Sequence, residues 1–168
     1  MEDKEKCNLD KSYCRKFLVI VDESPECENA LAFAANRIQR TGGQVTLLFV
    51  AEPGDFQHWI GVKEIQREEA MNKAKVIFRL YNKKLKNWGC EAIQVEEIIR
   101  EGETLGGILK LIQEDKDIAV LVLGASTDQS GPGPLVSALA SGKYAGTFPI
   151  PISIVPGSLS IEKIKTLA

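Results

Sequence analysis

The stretch IAVLVLGASTDQSGPGPLVS, residues 118–137, decides the fold of this chain. Its first part, Ile118–Leu123, is a continuous apolar run, which is typical of a strand buried on both faces of a parallel sheet. Gly124–Ser137 follows as a glycine-rich loop, and Leu135–Gly146 predicts a short helix. This order suits a phosphate or another small anion, because glycine lets backbone N–H groups approach a ligand and a helix begins with unpaired donors. Gly131–Pro134 also fits an ordinary crossover loop, so both interpretations stay open.

Apolar strands and helical patterns alternate along the whole chain. The predicted strands are Phe17–Val21, Val45–Val50, Ala92–Ile99, Ile118–Leu123 and Ser153–Val155, the last beginning as early as Ile150. Besides the short helix above, helices are predicted between an N-cap at Ser24 and Gly42, from Val62 to Trp88, and over Leu105–Ile112. The alternation predicts an α/β, Rossmann-like fold: a single five-stranded, mostly parallel sheet with helices on both faces.

The length of 168 residues fits one domain with a full core. Residues 1–15 are polar and are expected to form a flexible N-terminal arm, ahead of a domain over residues 16–157. Residues 158–168 form a C-terminal tail, in which Ser160–Ala168 is either a short helix or disordered. Pro149 and Pro151 confine the last strand to an edge or an interface.

The composition argues against several classes of function. The net charge is −2 without a basic block, so we expect no nucleic-acid partner. No apolar run reaches the ~20 residues that span a bilayer, and the polar start is not a secretory signal, so we expect no membrane partner and a cytoplasmic location. The cysteines are widely spaced and His58 is the single histidine, so we expect free thiols and no metal site. The cysteines are Cys7, Cys14, Cys27 and Cys90.

The chain resembles the universal stress protein family, a nucleotide-binding α/β family, over Lys16–Gly157. The resemblance rests on the order of the elements, on the V-D-x-S pattern at Val21–Ser24 and on Gly102. It implies the family's fold, and it implies a homodimer that pairs through Ile150–Val155. An ordinary covered edge strand is the alternative for that segment.

The glycine motif of the family is only partly present. ATP-binding members carry G-x-x-G, nine further residues, and then G-S or G-T. Gly124 matches the first glycine, whereas Thr127 stands at the second, and Ser137 and Ala138 stand at the final pair. The resemblance therefore implies the fold more strongly than it implies the ligand.

The resemblance implies a site for ATP or AMP, with or without Mg²⁺, at the carboxyl ends of the strands. The ends of the first two strands would enclose the adenine, and the glycine-rich loop would hold the phosphates. Asp22 would bind the ribose or a cation on the phosphates; alternatively it caps the next helix or braces the turn. The site residues so implied are Val21, Asp22, Val50, Leu123, Gly124, Thr127, Gly131, Gly133 and Ser137.

Three functions fit these observations. The first is a stress-response sensor that binds adenine nucleotide and is non-enzymatic or a very slow ATPase. The second is a dimeric adaptor that works without nucleotide, favoured by Thr127, Ser137 and Ala138. The third is an enzyme of the wider adenine-nucleotide α-hydrolase-like group, either a slow ATPase or a nucleotidyl transferase. It ranks last because the S-G-G-x-D-S and H-I-G-H types of signature of transferring relatives are absent.

Two further groups are given structural roles. Glu96 and Glu97 are neighbours on a strand and so point to opposite faces, which prevents them from acting as one acid–base pair. His58 and Trp59 follow the second strand and could cover the base of a nucleotide, but anchoring of the next helix is the favoured role.

Overall fold

A computed structural model describes residues 14–53 and 60–168. The predictions for residues 1–13, which include Cys7, and for His58 and Trp59 lie outside the described residues.

Five strands and five helices alternate within those ranges. The strands are β1 Lys16–Ile20, β2 Gln44–Ala51, β3 Gln94–Glu101, β4 Ile118–Ala125 and β5 Ile152–Pro156. The helices are α1 Glu26–Thr41, α2 Ile60–Asn87, α3 Thr104–Glu114, α4 Pro134–Ser141 and α5 Ile161–Leu167. No helix in the described chain is long and apolar enough to cross a membrane.

The strands form one sheet in the order β3-β2-β1-β4-β5, and every neighbouring pair is parallel. The predicted α/β sheet is therefore confirmed. The chain builds outward from β1 through β2 to β3, and then crosses to the other side of β1 to form β4 and β5. The strand order reverses between β1 and β4, which is the position where open α/β sheets bind ligands.

Helices cover both faces of the sheet, as predicted. Leu18 and Val19 are neighbours in β1, and both are fully buried on opposite faces. Val19 packs in the cluster that contains residues of α1, α2 and α5, whereas Leu18 packs with residues of α3 and α4. Because both faces are apolar, the central strands need continuous rather than alternating hydrophobic sequence.

The ends of some elements differ from the prediction. β3 begins at Gln94 rather than Ala92, because the residues after Gly89 form turns before the ladder starts. α4 ends at Ser141, five residues before the predicted end at Gly146. β5 begins at Ile152, and Ile150 lies ahead of the strand, packed against the core.

The C-terminal residues form a helix. Ser160 caps α5 by accepting a hydrogen bond from the backbone N–H of Lys163 at 3.2 Å. Ile164 is 1% exposed and packs in the core beside α1. Arg40 of α1 donates to the backbone carbonyls of Lys165 and Ala168, each at 2.5 Å. Of the two states left open for this segment, the helix is the one observed.

Candidate functional site

A crevice opens between the carboxyl ends of β1 and β4, where the strand order reverses. Its volume is about 80 Å³. Small-molecule pockets are commonly ~300–1,000 Å³, so this crevice holds only part of a nucleotide as it stands. Its lining residues are Ile20, Asp22, Ser24, Glu26, Cys27, Leu123, Gly124, Pro132, Gly133, Pro134, Leu135 and Val136.

Asp22 organises the turn that leads from β1 to α1. Its Oδ1 accepts a hydrogen bond from the backbone N–H of Ser24 at 2.8 Å and a second one from the Ser24 hydroxyl. The Ser24 side chain therefore does not cap α1, and Pro25 already has helical backbone angles. Bracing of the turn was one of the two structural roles considered for Asp22. Its Oδ2 has no hydrogen-bond partner in the described chain and remains available to a ligand.

Gly124 lies where β4 meets the first turn of α1. A Cβ at this position would lie 2.6 Å from the carbonyl carbon of Glu26 and closer still to its oxygen. Atoms without a bond between them cannot approach so closely, so only glycine fits between the strand and the helix. The glycine that matches the family motif is thus required by packing, whatever it also does for a ligand.

The loop from Ser126 to Gly133 closes on itself. The backbone N–H of Ser126 donates to the carbonyl of Pro132 at 3.0 Å, which joins the two ends of the loop. Asp128 accepts from the N–H of Ser130 at 2.9 Å, and this hydrogen bond lowers the pKa of its exposed carboxyl group. Gly131 and Gly133 have φ angles of 121° and 106°, a region that strongly favours glycine.

The N-terminus of α4 faces this loop and provides hydrogen-bond donors. Gly133 precedes the helix and Pro134 occupies its first turn without an N–H group. Within the described residues, the N–H groups of Leu135 and Val136 have no acceptor, whereas that of Ser137 donates to the carbonyl of Gly133 at 3.0 Å. Free donors at a helix start attract an anion.

The side chains around the crevice carry negative charge. Asp22 and Glu26 line it, and neither a lysine nor an arginine is among its lining residues. An anionic ligand would meet repulsion from these carboxylates unless a cation lay between them. No group of three or more potential metal ligands occurs in the ranges that the structure describes.

Two buried groups beneath the crevice were not predicted as part of the site. Burial raises the pKa of the Cys27 thiol to about 11, and its Sγ lies 3.4 Å from the carbonyl oxygen of Ile20. The Tyr81 hydroxyl donates to the carbonyl of Asp22 at 3.3 Å, and burial raises its pKa as well. Both groups are therefore neutral near pH 7, and Cys27 lacks the thiolate that a nucleophile needs. Tyr81 supports the Asp22 turn from α2.

The structure brings four of the implied site residues together around the crevice: Asp22, Leu123, Gly124 and Gly133. Val21 lies beside it, 1% exposed, with its N–H bonded to the carbonyl of Leu48 at 2.9 Å.

The other four implied residues do not line the crevice: Val50, Thr127, Gly131 and Ser137. Val50 packs against α3. A Cβ built on Gly107, which belongs to α3, would lie 3.5 Å from the Val50 side chain. A Cβ built on Gly157 would likewise lie 3.6 Å from the Thr127 side chain. Gly131 lies in the loop, and Ser137 is exposed on α4. The sequence prediction missed three residues that line the crevice: Cys27, Leu135 and Val136. Their positions in the chain could have indicated them, because Cys27 follows the V-D-x-S pattern and the other two follow Gly133.

A larger cavity of about 580 Å³ lies at the opposite, amino edge of the sheet. Cys14, Arg15 and Gly43 are among its lining residues. It lies far from the carboxyl ends of the strands, where parallel sheets bind ligands. Size alone does not make it the better candidate, because it lacks the helix N-terminus and the glycine-rich loop that accompany the smaller crevice.

The sequence profile of the universal stress protein family matches residues 14–156 of this chain. A comparison with curated protein sequences gives no significant match.

Solved structures of similar fold include universal stress proteins. Universal stress protein UspA from Lactobacillus plantarum is 20% identical, with a TM-score of 0.67 over 86% of this chain and 99% of that one. A universal stress protein in complex with cAMP is 17% identical, with a TM-score of 0.60 over 88% and 100%. A universal stress protein from Archaeoglobus fulgidus in complex with dAMP is also 17% identical, with a TM-score of 0.56 over 85% and 98%. At these identities the likeness shows a shared fold.

Proposed function

The chain belongs to the universal stress protein family, which confirms the predicted resemblance, and we propose that its β1–β4 crevice binds an adenine nucleotide. The observation that carries the proposal is the position of the crevice: it joins the strand-order reversal, the glycine-rich loop and the free N–H groups of Leu135 and Val136. Two structural relatives were determined with cAMP and dAMP, which supports an adenine ligand.

In this proposal the phosphates and the ribose have separate contacts. The phosphates lie at the start of α4, against the N–H groups of Leu135 and Val136. The ribose, or a Mg²⁺ ion carried by the phosphates, lies at the Oδ2 of Asp22. One carboxylate together with phosphate oxygens is a usual environment for Mg²⁺, and the ion would offset the charges of Asp22 and Glu26. Both ATP and AMP fit this scheme.

We further propose that the protein is a cytoplasmic sensor in the stress response rather than an enzyme. The crevice is smaller than a nucleotide, and in this proposal the loop from Ser126 to Gly133 opens its internal hydrogen bonds when the ligand binds. A ligand that favours the open loop shifts the population of the two states by its difference in affinity for them. The changed loop would then alter a surface that another molecule recognises.

A dimeric adaptor that needs no nucleotide is the second candidate. It is favoured by the small volume of the crevice, the carboxylates of Asp22 and Glu26, and the self-bonded loop. In that case the glycine-rich loop serves only to connect β4 and α4.

Calorimetric titration with AMP, cAMP and ATP, with and without Mg²⁺, separates the two candidates. The sensor predicts saturable heat and slower hydrogen exchange at the N–H groups of Leu135 and Val136. Gly133→Val is expected to weaken binding by about tenfold or more, because φ at this position is 106°, which valine rarely adopts, so the backbone that leads to those donors must change its path.

Gly89→Val is the matched control for this experiment. Gly89 also has a positive φ, 76°, and open space at its Cβ, but it ends α2 at the amino edge of the sheet. It should lose stability without losing affinity. Absence of heat with every nucleotide at millimolar concentration would favour the adaptor.

We also propose that the protein is a homodimer that pairs through the segment Ile150–Val155. In the described chain β5 pairs only with β4, so one edge of it is free, and Ile154 on this strand is 42% exposed. Sedimentation velocity is expected to give a dimer that Ile154→Lys converts to monomer, whereas Leu167→Lys, at 54% exposure on α5, leaves it intact. A monomer of 18.5 kDa for the unchanged protein at micromolar concentration would contradict the proposal.

A further inference from the structure

The outer face of the C-terminal half of α2 is basic, although the whole chain is slightly acidic. Residues Lys73–Asn87 contain six basic residues and no acidic one. The chain has a net charge of −2, so the remaining residues together carry −8. The positive charge is therefore concentrated on one segment of a surface helix, and the small net charge does not reveal this.

Exposed apolar side chains lie among these charges. Val76 is 62% exposed and Leu80, one turn later, is 49% exposed. Ile65 is 59% exposed and lies eleven residues before Val76, which corresponds to about 16 Å along the helix and about 20° around it. Ile65 precedes the basic stretch and is followed by exposed Glu68 and Glu69, so only Val76 and Leu80 lie within that stretch. Val76 and Leu80 are one helical turn apart, so together they form a small exposed apolar surface among the basic side chains.

Most of the surrounding cations are free of ion pairs. Lys73 is paired with Glu23 at 3.0 Å, and Lys84 is paired with Glu28. Within the described ranges no acidic group forms an ion pair with the other four, all of which are exposed. We call the surface formed by these four and the two apolar residues among them the basic ridge: Lys75, Val76, Arg79, Leu80, Lys83 and Lys86.

We propose that the basic ridge binds the surface of an anionic lipid bilayer, with the C-terminal half of α2 lying against it. Lysine and arginine side chains would contact lipid phosphates while Val76 and Leu80 enter the boundary of the acyl region, as in interfacial helices. Each basic group near an anionic membrane strengthens binding by about fivefold, so several of them compensate for the small apolar area. No membrane partner is expected from the net charge and the lack of an apolar span. The six basic residues of Lys73–Asn87 stand in the sequence, but only the fold shows that four of them are exposed and, within the described ranges, unpaired.

A lipid surface fits the ridge better than the other anionic partners do. Nucleic-acid sites commonly add exposed aromatic side chains for stacking, but Phe78 and Tyr81 in this part of α2 are buried, and phosphates gain nothing from exposed Val76 and Leu80. A protein partner needs roughly 800 Å² per side and usually an aromatic or arginine anchor in a pocket. The basic ridge is a convex helix surface without a pocket, which fits the deformable headgroup region of a bilayer better than a rigid protein surface.

Co-sedimentation with vesicles tests this proposal. The full chain is expected to bind vesicles of equimolar phosphatidylcholine and phosphatidylglycerol, and not vesicles of phosphatidylcholine alone. Arg79→Glu combined with Lys83→Glu should reduce partitioning at least tenfold, and Val76→Ser combined with Leu80→Ser by severalfold. All four side chains are exposed, so the fold should be retained, which a thermal melt checks. Arg79→Gln with Lys83→Gln should give a smaller loss in the same direction.

Matched controls lie elsewhere on the surface. Lys110→Glu with Lys116→Glu makes the same change of charge on other exposed residues, and Leu167→Ser removes an apolar side chain of similar exposure. Neither should reduce partitioning by more than about twofold. The proposal is overturned if anionic vesicles do not bind, if the controls lose as much binding as the ridge variants, or if a single-stranded oligonucleotide binds the ridge while vesicles do not.

Discussion

Replacing Gly124 by alanine is expected to lower the free energy of unfolding by about 3 kcal/mol, the upper range for overpacking. The added Cβ would lie 2.6 Å from the carbonyl carbon of Glu26, and a backbone atom cannot move aside as a flexible side chain can. Either β4 or the first turn of α1 must shift, and both line the crevice. Urea denaturation at equilibrium, with the transition midpoint and slope fitted together, measures the loss.

Gly146→Ala provides the control for this prediction. A Cβ there would meet no atom within 4 Å, and the residue has no positive φ. Alanine at such a site changes stability by less than about 1 kcal/mol and tends to stabilise, since it restricts the unfolded chain. If Gly124→Ala proved as harmless as the control, the close approach of β4 to α1 would not be a constraint, and the glycine would need a different explanation.

The sheet could be predicted from sequence because its signals are local. Continuous apolar runs such as Val45–Val50 identify strands covered on both faces, and Gly42-Gly43 and Gly89 mark where helices end. The prediction was weakest for β3, which begins two residues late. The free edge of that strand is half-exposed, so its apolar pattern is less distinct than that of the central strands.

The candidate site was only partly predictable, because its contacts join distant segments. Tyr81 donates a hydrogen bond to the carbonyl of Asp22, although 59 positions separate the two residues in the sequence. No local pattern near either residue predicts this contact. Gly124 was predicted from a motif for its approach to a ligand, but its packing against Glu26 depends on how β4 meets α1. Motif matching therefore identified a residue that matters without identifying what it contacts.

Glu96 and Glu97 show what strand alternation predicts and what it does not predict. They point to opposite faces, as predicted: Glu97 accepts from Asn82 at 2.6 Å, whereas Glu96 accepts from Lys16 at 3.0 Å. Strand alternation predicts the divergence. It does not predict the partner, because Lys16 stands 80 residues earlier and meets Glu96 only through the order of the sheet.

Lys16→Met is expected to lower the free energy of unfolding by about 2 kcal/mol. The ammonium group of Lys16 lies 2.7 Å from Asp115 and 3.0 Å from Glu96, and its side chain is 14% exposed. Loss of one partner from a buried ion pair costs ~3–5 kcal/mol, and the cost is smaller here because the two carboxylates are 22% and 35% exposed. Lys73→Met breaks the exposed pair with Glu23 and should cost at most about 0.5 kcal/mol.

The dependence of this loss on pH tests whether charge, rather than packing, causes it. Burial lowers the pKa of Lys16, but hydrogen bonds and attraction from Asp115 and Glu96 outweigh it, so the net pKa lies above its ordinary value of 10.5. A raised pKa in the folded state gives stability that is complete below pH 10.5 and lost as the pH rises through the folded-state pKa. The difference in stability between the unchanged protein and Lys16→Met should therefore be constant from pH 7 to about pH 10 and shrink above it. A difference that stayed the same at high pH would assign the loss to the shape of the lysine side chain, since methionine removes the charge at every pH.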